Sequence, residues 1–332
     1  MKNSQTFFKK QIKLRLLFVG AILFCASAFV CSLLLGSTRL DFSSLFEGVN
    51  QKIFLYIRLP RTLACMTAGA GLAVSGAMIQ SVLANRLASP SLIGVNAGAG
   101  LAITLCTAFG VLGGWKASLS SFVGAFGTVM LIAFAAKQFR ASKGTLILMG
   151  VALNSFLNAF SSAVVTLNPD VGVLSNDFKV GDFSAVTYGK LIPAAVLTAI
   201  ALLVSFTLVN MLDVMTLGEE SAAGLGVNVP AARTLFLLLA ALLAGAAVSI
   251  AGLLSFVGLV IPHAVRKMGA GNCARLLPLS ALFGAGFVTL CDLVARTAFA
   301  PYEIPVGIIM AFVGAPFFIF LLIKGKGGKH LD

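Results

Sequence analysis

The sequence predicts an all-α membrane protein with about ten transmembrane helices. Hydrophobic residues make up 59% of the 332 residues and charged residues only 11%, whereas charged residues make up about 25% of an ordinary soluble domain. Uncharged runs of about 20 residues, the length that crosses a bilayer as a helix, recur along the whole chain. These observations exclude a soluble enzyme and leave no room for a separate soluble domain. We therefore treat residues 1–332 as a single transmembrane domain.

Ten apolar segments are candidates for membrane spans. In chain order they cover residues 14–35, 62–83, 92–112, 117–136, 144–167, 190–210, 233–251, 253–268, 276–299 and 304–323. The eighth segment is short and contains Pro262 and His263, so a re-entrant segment is the alternative for that part of the chain. Without the eighth span, the C-terminus would lie on the outer side.

The positions of Lys and Arg predict the orientation, because short cytoplasmic loops are enriched in both residues. With ten spans, both termini are cytoplasmic and 16 of the 24 Lys and Arg side chains lie on the cytoplasmic side. The eight predicted on the outer side are Arg39, Lys52, Arg58, Arg61, Lys116, Lys179, Lys190 and Arg296. The sequence therefore predicts a multi-pass protein of the cytoplasmic (inner) membrane. The net charge of +13 reflects this topology rather than nucleic-acid binding, since the cations form no basic face.

The sequence contains none of the common motifs for catalysis or nucleotide binding. It has no phosphate-binding loop, no H-E-x-x-H and no G-x-S-x-G, and its two histidines are His263 and His330. The six cysteines lie mostly in apolar segments and form no metal-binding pattern. We predict no catalytic residue, no bound metal and no directly bound cofactor. Any energy for transport must then come from another protein.

The cytoplasmic loop between the sixth and seventh spans carries helix signals at both ends. Thr216 and Glu219 have the spacing of a capping box, and Gly226 suits a left-handed C-terminal cap. Glu219 and Glu220 would lie in the first turn, where acidic side chains are favourable. The sequence predicts a rigid helix of about two turns within residues 214–229, offered to a partner. A folded connector without a partner is the alternative.

Three of the four arginines predicted on the outer side are candidate docking residues, because cations there run against the usual distribution. Arg58 and Arg61 precede the second span, and Arg296 ends the ninth. Their guanidiniums suit pairing with carboxylates of a docking protein, with lipid headgroups or internal pairing with Glu303 as the alternatives. Asp292 lies four residues before Arg296, and we interpret the two as an i, i+4 ion pair rather than a proton relay.

Taken together, these segments resemble the FecCD-type permeases, the membrane subunits of binding-protein-dependent ABC importers for iron-siderophores, haem and cobalamin. The resemblance covers nearly the whole chain. It rests on residues 58–61 (RLPR), 76–80 (GAMIQ), 85–94 (NRLASPSLIG), 217–228, 256–263 (FVGLVIPH), 303–307 (EIPVG) and 314–318 (GAPFF). Two positions depart from the family pattern: Arg86 replaces the usual Pro after Asn85, and Phe178 stands where the family usually has Trp before the Gly181 position.

The resemblance implies a type II ABC importer permease fold with ten helices per subunit. It also implies partners: a second permease subunit, identical or paralogous, a dimer of cytoplasmic ABC ATPases that use the ATP, and one external substrate-binding protein. Arg58, Arg61 and Arg296, in segments near 58–61 and 296–303, would meet acidic residues on the two lobes of the binding protein. Asn85 and Leu87 would line the cytoplasmic gate. The coupling helix that seats in the ATPase would include Thr216, Leu217, Gly218, Glu219, Glu220, Ala222, Ala223, Leu225 and Gly226.

The function implied by the resemblance is translocation of an iron(III)-siderophore across the cytoplasmic membrane, with haem and cobalamin as alternative substrates. A secondary transporter driven by an ion gradient is a different class of function. It would use Asp292 and a faint inverted repeat, in which residues 68–76 resemble residues 244–252. A membrane scaffold or receptor subunit without transport is the third possibility. The repeated small residues in both segments also predict close helix contacts.

Overall fold

Fifteen α-helices make up most of the described chain. The computed structural model describes residues 2–36, 48–111, 113–139 and 141–326, and within these ranges it contains no β-strand. The helices are α1 (Lys2–Leu34), α2 (Gly48–Ile53), α3 (Leu59–Val82), α4 (Val95–Ala108), α5 (Gly114–Gln138), α6 (Lys143–Leu167), α7 (Pro169–Leu174), α8 (Asn176–Val180), α9 (Tyr188–Thr207), α10 (Val209–Met215), α11 (Glu219–Gly224), α12 (Val229–Ala251), α13 (Val257–Met268), α14 (Cys273–Thr297) and α15 (Val306–Lys326). A π-helical turn, Phe54–Arg58, precedes α3, and a 3₁₀ turn, Pro90–Ile93, precedes α4.

Each predicted span has a helix as its counterpart. In the described ranges, seven helices are long and apolar enough to cross a membrane, and α4 and α15 provide shorter apolar stretches. The third span was predicted to begin at residue 92, but α4 begins at Val95 because Gly94 has a φ of 89° and ends the preceding turn. Of the residues named above, Arg39 and His330 lie outside the described ranges.

Three helices form the centre of the bundle. The apolar stretches of α3, α12 and α14 are 78%, 72% and 61% buried, whereas that of α6 is only 11% buried. A Cβ at Gly69 of α3 would lie 2.2 Å from the Gly284 carbonyl oxygen of α14, and Ser75 Oγ donates to the Ala240 oxygen of α12 at 2.7 Å. These contacts confirm the predicted role of small residues, which let helix backbones approach closely.

Helix α3 runs between two polar ends of the bundle, which we call the Arg61 end and the Glu219 end. The first turn of α3 contains Arg61. Helices α7 and α8 and the start of α9 lie at the same end, and the Tyr188 hydroxyl of α9 donates to the Leu55 oxygen of the π-helical turn. At the other end of α3, Ser81 contacts Arg266 of α13, near α10 and α11. The residues predicted to contact the binding protein lie at the Arg61 end, and those predicted to contact the ATPase lie at the Glu219 end.

The eighth predicted span is a broken segment rather than a continuous helix. Helix α12 ends at Gly252 with a φ of 70°, and α13 begins after Phe256 with a φ of 67°. The amide of Leu253 donates to the Phe178 oxygen at the Arg61 end, and Arg266 binds Gln80 near the Glu219 end. Because α13 alone is only about 18 Å long at 1.5 Å per residue, the five residues before it are needed to connect the two ends.

Candidate functional site

Arg61 joins three elements at one end of the bundle. It lies in the first turn of α3, directly after Pro60, whose missing N–H is tolerated at a helix start. Its Nε and Nη2 donate to Asp292 Oδ1 of α14 at 3.0 and 2.9 Å. Its Nη1 donates to Glu303 Oε2, in the connection before α15, at 2.6 Å. A single guanidinium therefore links α3, α14 and the α14–α15 connection.

The other two arginines secure the end of α1. Arg296 Nη2 donates to the carbonyl oxygen and the hydroxyl of Ser32 at 2.5 and 2.6 Å, while its Nε lies 3.5 Å from Asp292 Oδ2. Arg58 Nη1 donates to the oxygens of Leu33 and Leu34 at 2.9 and 2.8 Å. These bonds satisfy carbonyl groups that the C-terminus of a helix leaves without partners.

The three guanidiniums were predicted to be open to a docking protein on the outer side, but in the described chain they are buried. Arg58, Arg61 and Arg296 are only 3%, 6% and 3% exposed, and Asp292 is fully buried. For Arg61 and Arg296 the physical reason is Asp292, since a carboxylate inside an apolar segment is tolerated only when cations pair with it. Arg58 is buried instead against the carbonyl oxygens at the end of α1. The i, i+4 pair of Asp292 and Arg296 is confirmed, and so is the alternative of internal pairing with Glu303. The docking role of the arginines stays a prediction.

At the Glu219 end, the start of the predicted coupling helix differs from the capping box. Thr216 Oγ1 donates to the Asp213 oxygen at 2.7 Å, back towards α10, and the cap of α11 is Gly218 with no side-chain hydrogen bond. The prediction of a capping box is therefore wrong. Gly218, with a φ of 107°, turns the chain between Thr216 and Glu219, so the threonine hydroxyl does not reach the new helix.

The end of the same helix matches the prediction. Gly226 has a φ of 83°, its amide donates to the Ala223 oxygen at 2.9 Å, and the Val227 amide donates to the Ala222 oxygen at 3.0 Å. This pair of bonds is a Schellman motif, in which the left-handed residue is usually glycine. Helix α11 is six residues long, slightly shorter than the two turns predicted.

The residues of the α11 segment divide into an inner and an outer set. Ala222 is fully buried, whereas Leu217 and Leu225 are each 64% exposed, with Glu220 exposed between them in the sequence. Glu219 points back to the bundle instead, since its Oε1 lies 2.5 Å from Arg233 Nη2 and 3.4 Å from Lys143 Nζ. The exposed leucines offer an apolar contact to a partner, and Glu219 fixes the segment to the protein.

The predicted gate residues, Asn85 and Leu87, lie in a tight turn after α3, at the same end. We call residues 83–88 the gate turn. Asn85 Oδ1 accepts from the Leu87 amide at 2.9 Å, as in an Asx turn, and Leu87 is exposed. Arg86, which replaces the family's proline, is also exposed and lines a cavity of about 310 Å³ with Asp213 and Arg266. The turn therefore keeps a hydrogen-bonded shape without proline.

The segment after the gate turn is held by α6. Asn154 Nδ2 donates to the Ser91 oxygen at 2.9 Å, and a Cβ at Gly150 would lie 2.3 Å from the Leu92 oxygen.

The second departure from the family pattern is Phe178. Its backbone oxygen accepts from the Leu253 amide in the break before α13, so this bond does not depend on which aromatic ring is present. Within the described ranges, no three His, Cys, Asp or Glu side chains lie close enough to hold a metal ion.

Sequence reasoning missed Arg233 and Lys143 as partners of Glu219, and Asp292 as a partner of Arg61. The Arg61–Asp292 contact joins residues 231 positions apart, so spacing along one helix gave no signal for it. A weaker signal was present, because the predicted topology places Glu219, Lys143 and Arg233 on the same side of the membrane. Opposite charges on one side indicate possible pairs, although not which pairs form.

Comparison with known proteins places this arrangement in a family context. The model of the FecCD transport family matches residues 22–324. The chain is 34% identical to the permease protein of a Fe(3+)-citrate import system from Bacillus subtilis, covering 87% of both chains. It is 38% identical to the permease protein of a vitamin B12 import system from Yersinia pseudotuberculosis, covering 84% of both.

A solved structure has the same fold over nearly its whole length. It is described as an ABC transporter of metal-chelate type in an inward-facing conformation, and it superposes with a TM-score of 0.84 at 31% sequence identity. The match covers 93% of this chain and 99% of that one. The helices described above are therefore those of an ABC transporter permease.

Proposed function

The chain belongs to the FecCD transport family, and from this premise we propose that it is the permease subunit of a binding-protein-dependent ABC importer for an iron(III)-siderophore. What supports the iron(III) chelate is the similarity to a Fe(3+)-citrate permease and to a transporter of metal-chelate type. Cobalamin is the second candidate, because the vitamin B12 permease is at least as similar, at 38% identity. Haem is a third member of the same substrate group.

In this proposal the chain performs no chemistry of its own. ATP is used by a dimer of ABC ATPases that contact α11 on the cytoplasmic side. A second permease subunit, identical or paralogous, completes the path within the lipid of the cytoplasmic membrane, and both termini are cytoplasmic. ATP binding and hydrolysis shift the two permease subunits between outward-open and inward-open states. The observation that carries the ATPase contact is α11, a short helix fixed to the bundle by Glu219 with Leu217 and Leu225 exposed.

The external binding protein docks at the Arg61 end in this proposal. Carboxylates on its two lobes approach Arg58, Arg61 and Arg296, which the permease holds beneath its surface. Glu303 is the permease's own carboxylate on Arg61 and is 33% exposed. A carboxylate of the binding protein therefore competes with Glu303 for the guanidinium. Glu303 is a better probe of docking than Arg61, because reversing the charge of Arg61 would also remove the main partner of buried Asp292.

Replacing Glu303 with Gln is expected to strengthen docking of the binding protein. The variant keeps the shape of the side chain and its amide oxygen can still accept from Arg61 Nη1, but it no longer offers a negative charge that competes with the incoming carboxylate. We expect the affinity to rise up to about fivefold, the range of one partly exposed ion pair, and the gain to shrink at high salt. The measurement is the dissociation constant of the binding protein on the detergent-solubilised importer. Glu220→Gln, at the opposite end, is the matched control, and an unchanged or weaker affinity in Glu303→Gln contradicts this docking surface.

Uptake into sealed vesicles tests the proposed function. The chain is reconstituted with its ATPase and its binding protein, and labelled iron(III)-siderophore is added on the side of the binding protein. We expect accumulation that requires ATP and is lost with a hydrolysis-deficient ATPase. A parallel assay with labelled cobalamin identifies the substrate.

The alternatives give different results in the same vesicles. A secondary transporter would accumulate substrate without the ATPase and would stop when an ionophore removes the ion gradient. A scaffold or receptor subunit would bind partners without any accumulation, while a control importer in the same lipid remains active. Either result overturns the proposed function.

A further inference from the structure

Glu219 lies where three elements of the bundle meet. Its carboxylate accepts from Arg233 of α12 at 2.5 Å and pairs with Lys143, the first residue of α6, at 3.4 Å. The same Arg233 donates through Nη1 to the Ala141 oxygen, in the turn between α5 and α6, at 3.2 Å. The first residue of α11 is thus tied to α12, to α6 and to the turn before α6.

The charges at this junction favour a fixed geometry. Lys143 places a positive charge at the N-terminus of α6, where the helix dipole is also positive and a cation is unfavourable. Glu219 supplies the compensating negative charge. The Arg233 side chain is 12% exposed and that of Glu219 is 48% exposed, so solvent and salt screen this pair in part.

Helices α12 and α6, which Glu219 ties to α11, contact the chain on either side of the gate turn. Helix α12 packs along α3, where Ser75 donates to the Ala240 oxygen, and α3 leads directly into the gate turn. Helix α6 holds the segment after the turn through Asn154 and the Ser91 oxygen. Helices α12 and α6 therefore hold the chain on both sides of Asn85 and Leu87.

We propose that Glu219 is a positioning residue that fastens α11 to α12 and α6, so that displacement of α11 moves both flanks of the gate turn. This inference rests on the proposed function and adds to it a route from the ATPase contact to the gate. In it, Leu217, Glu220 and Leu225 meet the ATPase, whereas Glu219, Arg233 and Lys143 transmit the movement within the permease. A physical route of this kind needs a measured coupling between its members.

The test compares two charge-removing variants in the complete importer. Glu219→Gln removes the charge that pairs with Arg233 and Lys143, while Asp170→Asn changes an exposed carboxylate of α7 that neither proposed contact uses and that has no cation within 4.0 Å among the described residues. The measured quantity is the amount of substrate imported per ATP hydrolysed, together with ATPase binding and thermal stability. We expect this ratio to fall up to about fivefold in Glu219→Gln, the range of one partly exposed ion pair, and to stay unchanged in Asp170→Asn.

A charge exchange provides the second variant. Glu219→Lys alone should uncouple import from hydrolysis, and adding Arg233→Glu should restore at least part of the ratio, because the pair is rebuilt with the charges reversed. A purely structural role would instead lower stability and ATPase binding in Glu219→Gln without changing the ratio for the complexes that remain. That result, or equal ratios in Glu219→Gln and Asp170→Asn, overturns the inference. If the wild-type complex hydrolyses ATP but imports nothing, the proposed function fails, and the inference fails with it.

Discussion

Replacing Asp292 with Leu is expected to destabilise the folded protein by about 3–5 kcal/mol, the range for removing one partner of a buried ion pair. Asp292 is fully buried and accepts from Arg61 at 2.9 and 3.0 Å, with Arg296 at 3.5 Å. Without the carboxylate, two buried guanidiniums with like charge would face each other across an apolar site. The measurement is unfolding in a fixed detergent, by heat or by denaturant.

Two control variants separate charge from shape at this position. Asp292→Asn keeps the size of the side chain and one acceptor oxygen, so we expect a smaller loss than with Leu. Glu303→Gln should have little effect on unfolding, because Glu303 is partly exposed and solvent can replace it. An Asp292→Leu variant that unfolds like the wild type would show that the ion cluster at the Arg61 end does not hold α1, α3 and α14 together.

Replacing Gly76 with Ala is expected to cost about 3 kcal/mol, at the upper end of the range for overpacking a core. A Cβ at Gly76 would lie 1.9 Å from the Gly258 oxygen and 2.5 Å from its Cα. Both contacts are with backbone, so no side chain can rotate away, and α3 and α13 must separate. Because α3 leads into the gate turn, we also expect loss of transport in the vesicle assay.

The matched control is Gly127→Ala in α5. A Cβ at Gly127 meets no atom within 4 Å, and alanine has a higher helix propensity than glycine, so this variant should be neutral or more stable by up to about 1 kcal/mol. If Gly76→Ala and Gly127→Ala unfold at the same temperature, the close contact of α3 with α13 is not a determinant of stability.

The sequence was sufficient to predict the long helices, because their lengths and apolar composition follow from the thickness of the bilayer. It also predicted the end of α11, since Gly226 is the kind of residue that a Schellman motif requires. It placed a boundary after residue 251, but it did not predict that residues 253–256 before α13 are non-helical. There the non-glycine residue Phe256 adopts a positive φ, which depends on packing against α15 and Gly314 rather than on local propensity.

The candidate sites were predicted less completely, because their geometry depends on contacts between distant parts of the chain. The sequence identified the three arginines, but the burial of Arg61 and Arg296 follows from Asp292, which is 231 positions from Arg61. The capping box had the right spacing in Thr216 and Glu219, yet Gly218 changed the direction of the chain between them. Glu219 proved to be bound within the bundle, which spacing along the loop does not reveal.

The proposed function requires contact between α11 and an ATPase on the cytoplasmic side. Photo-cross-linking from position 225, occupied by an exposed leucine, tests this contact in the assembled importer, with position 302, an exposed tyrosine at the Arg61 end, as the opposite reference. We expect a cross-link from position 225 to the ATPase and from position 302 to the binding protein. A cross-link from position 225 to the external binding protein, or the absence of one to a nucleotide-hydrolysing subunit, would show that α11 is not the coupling helix.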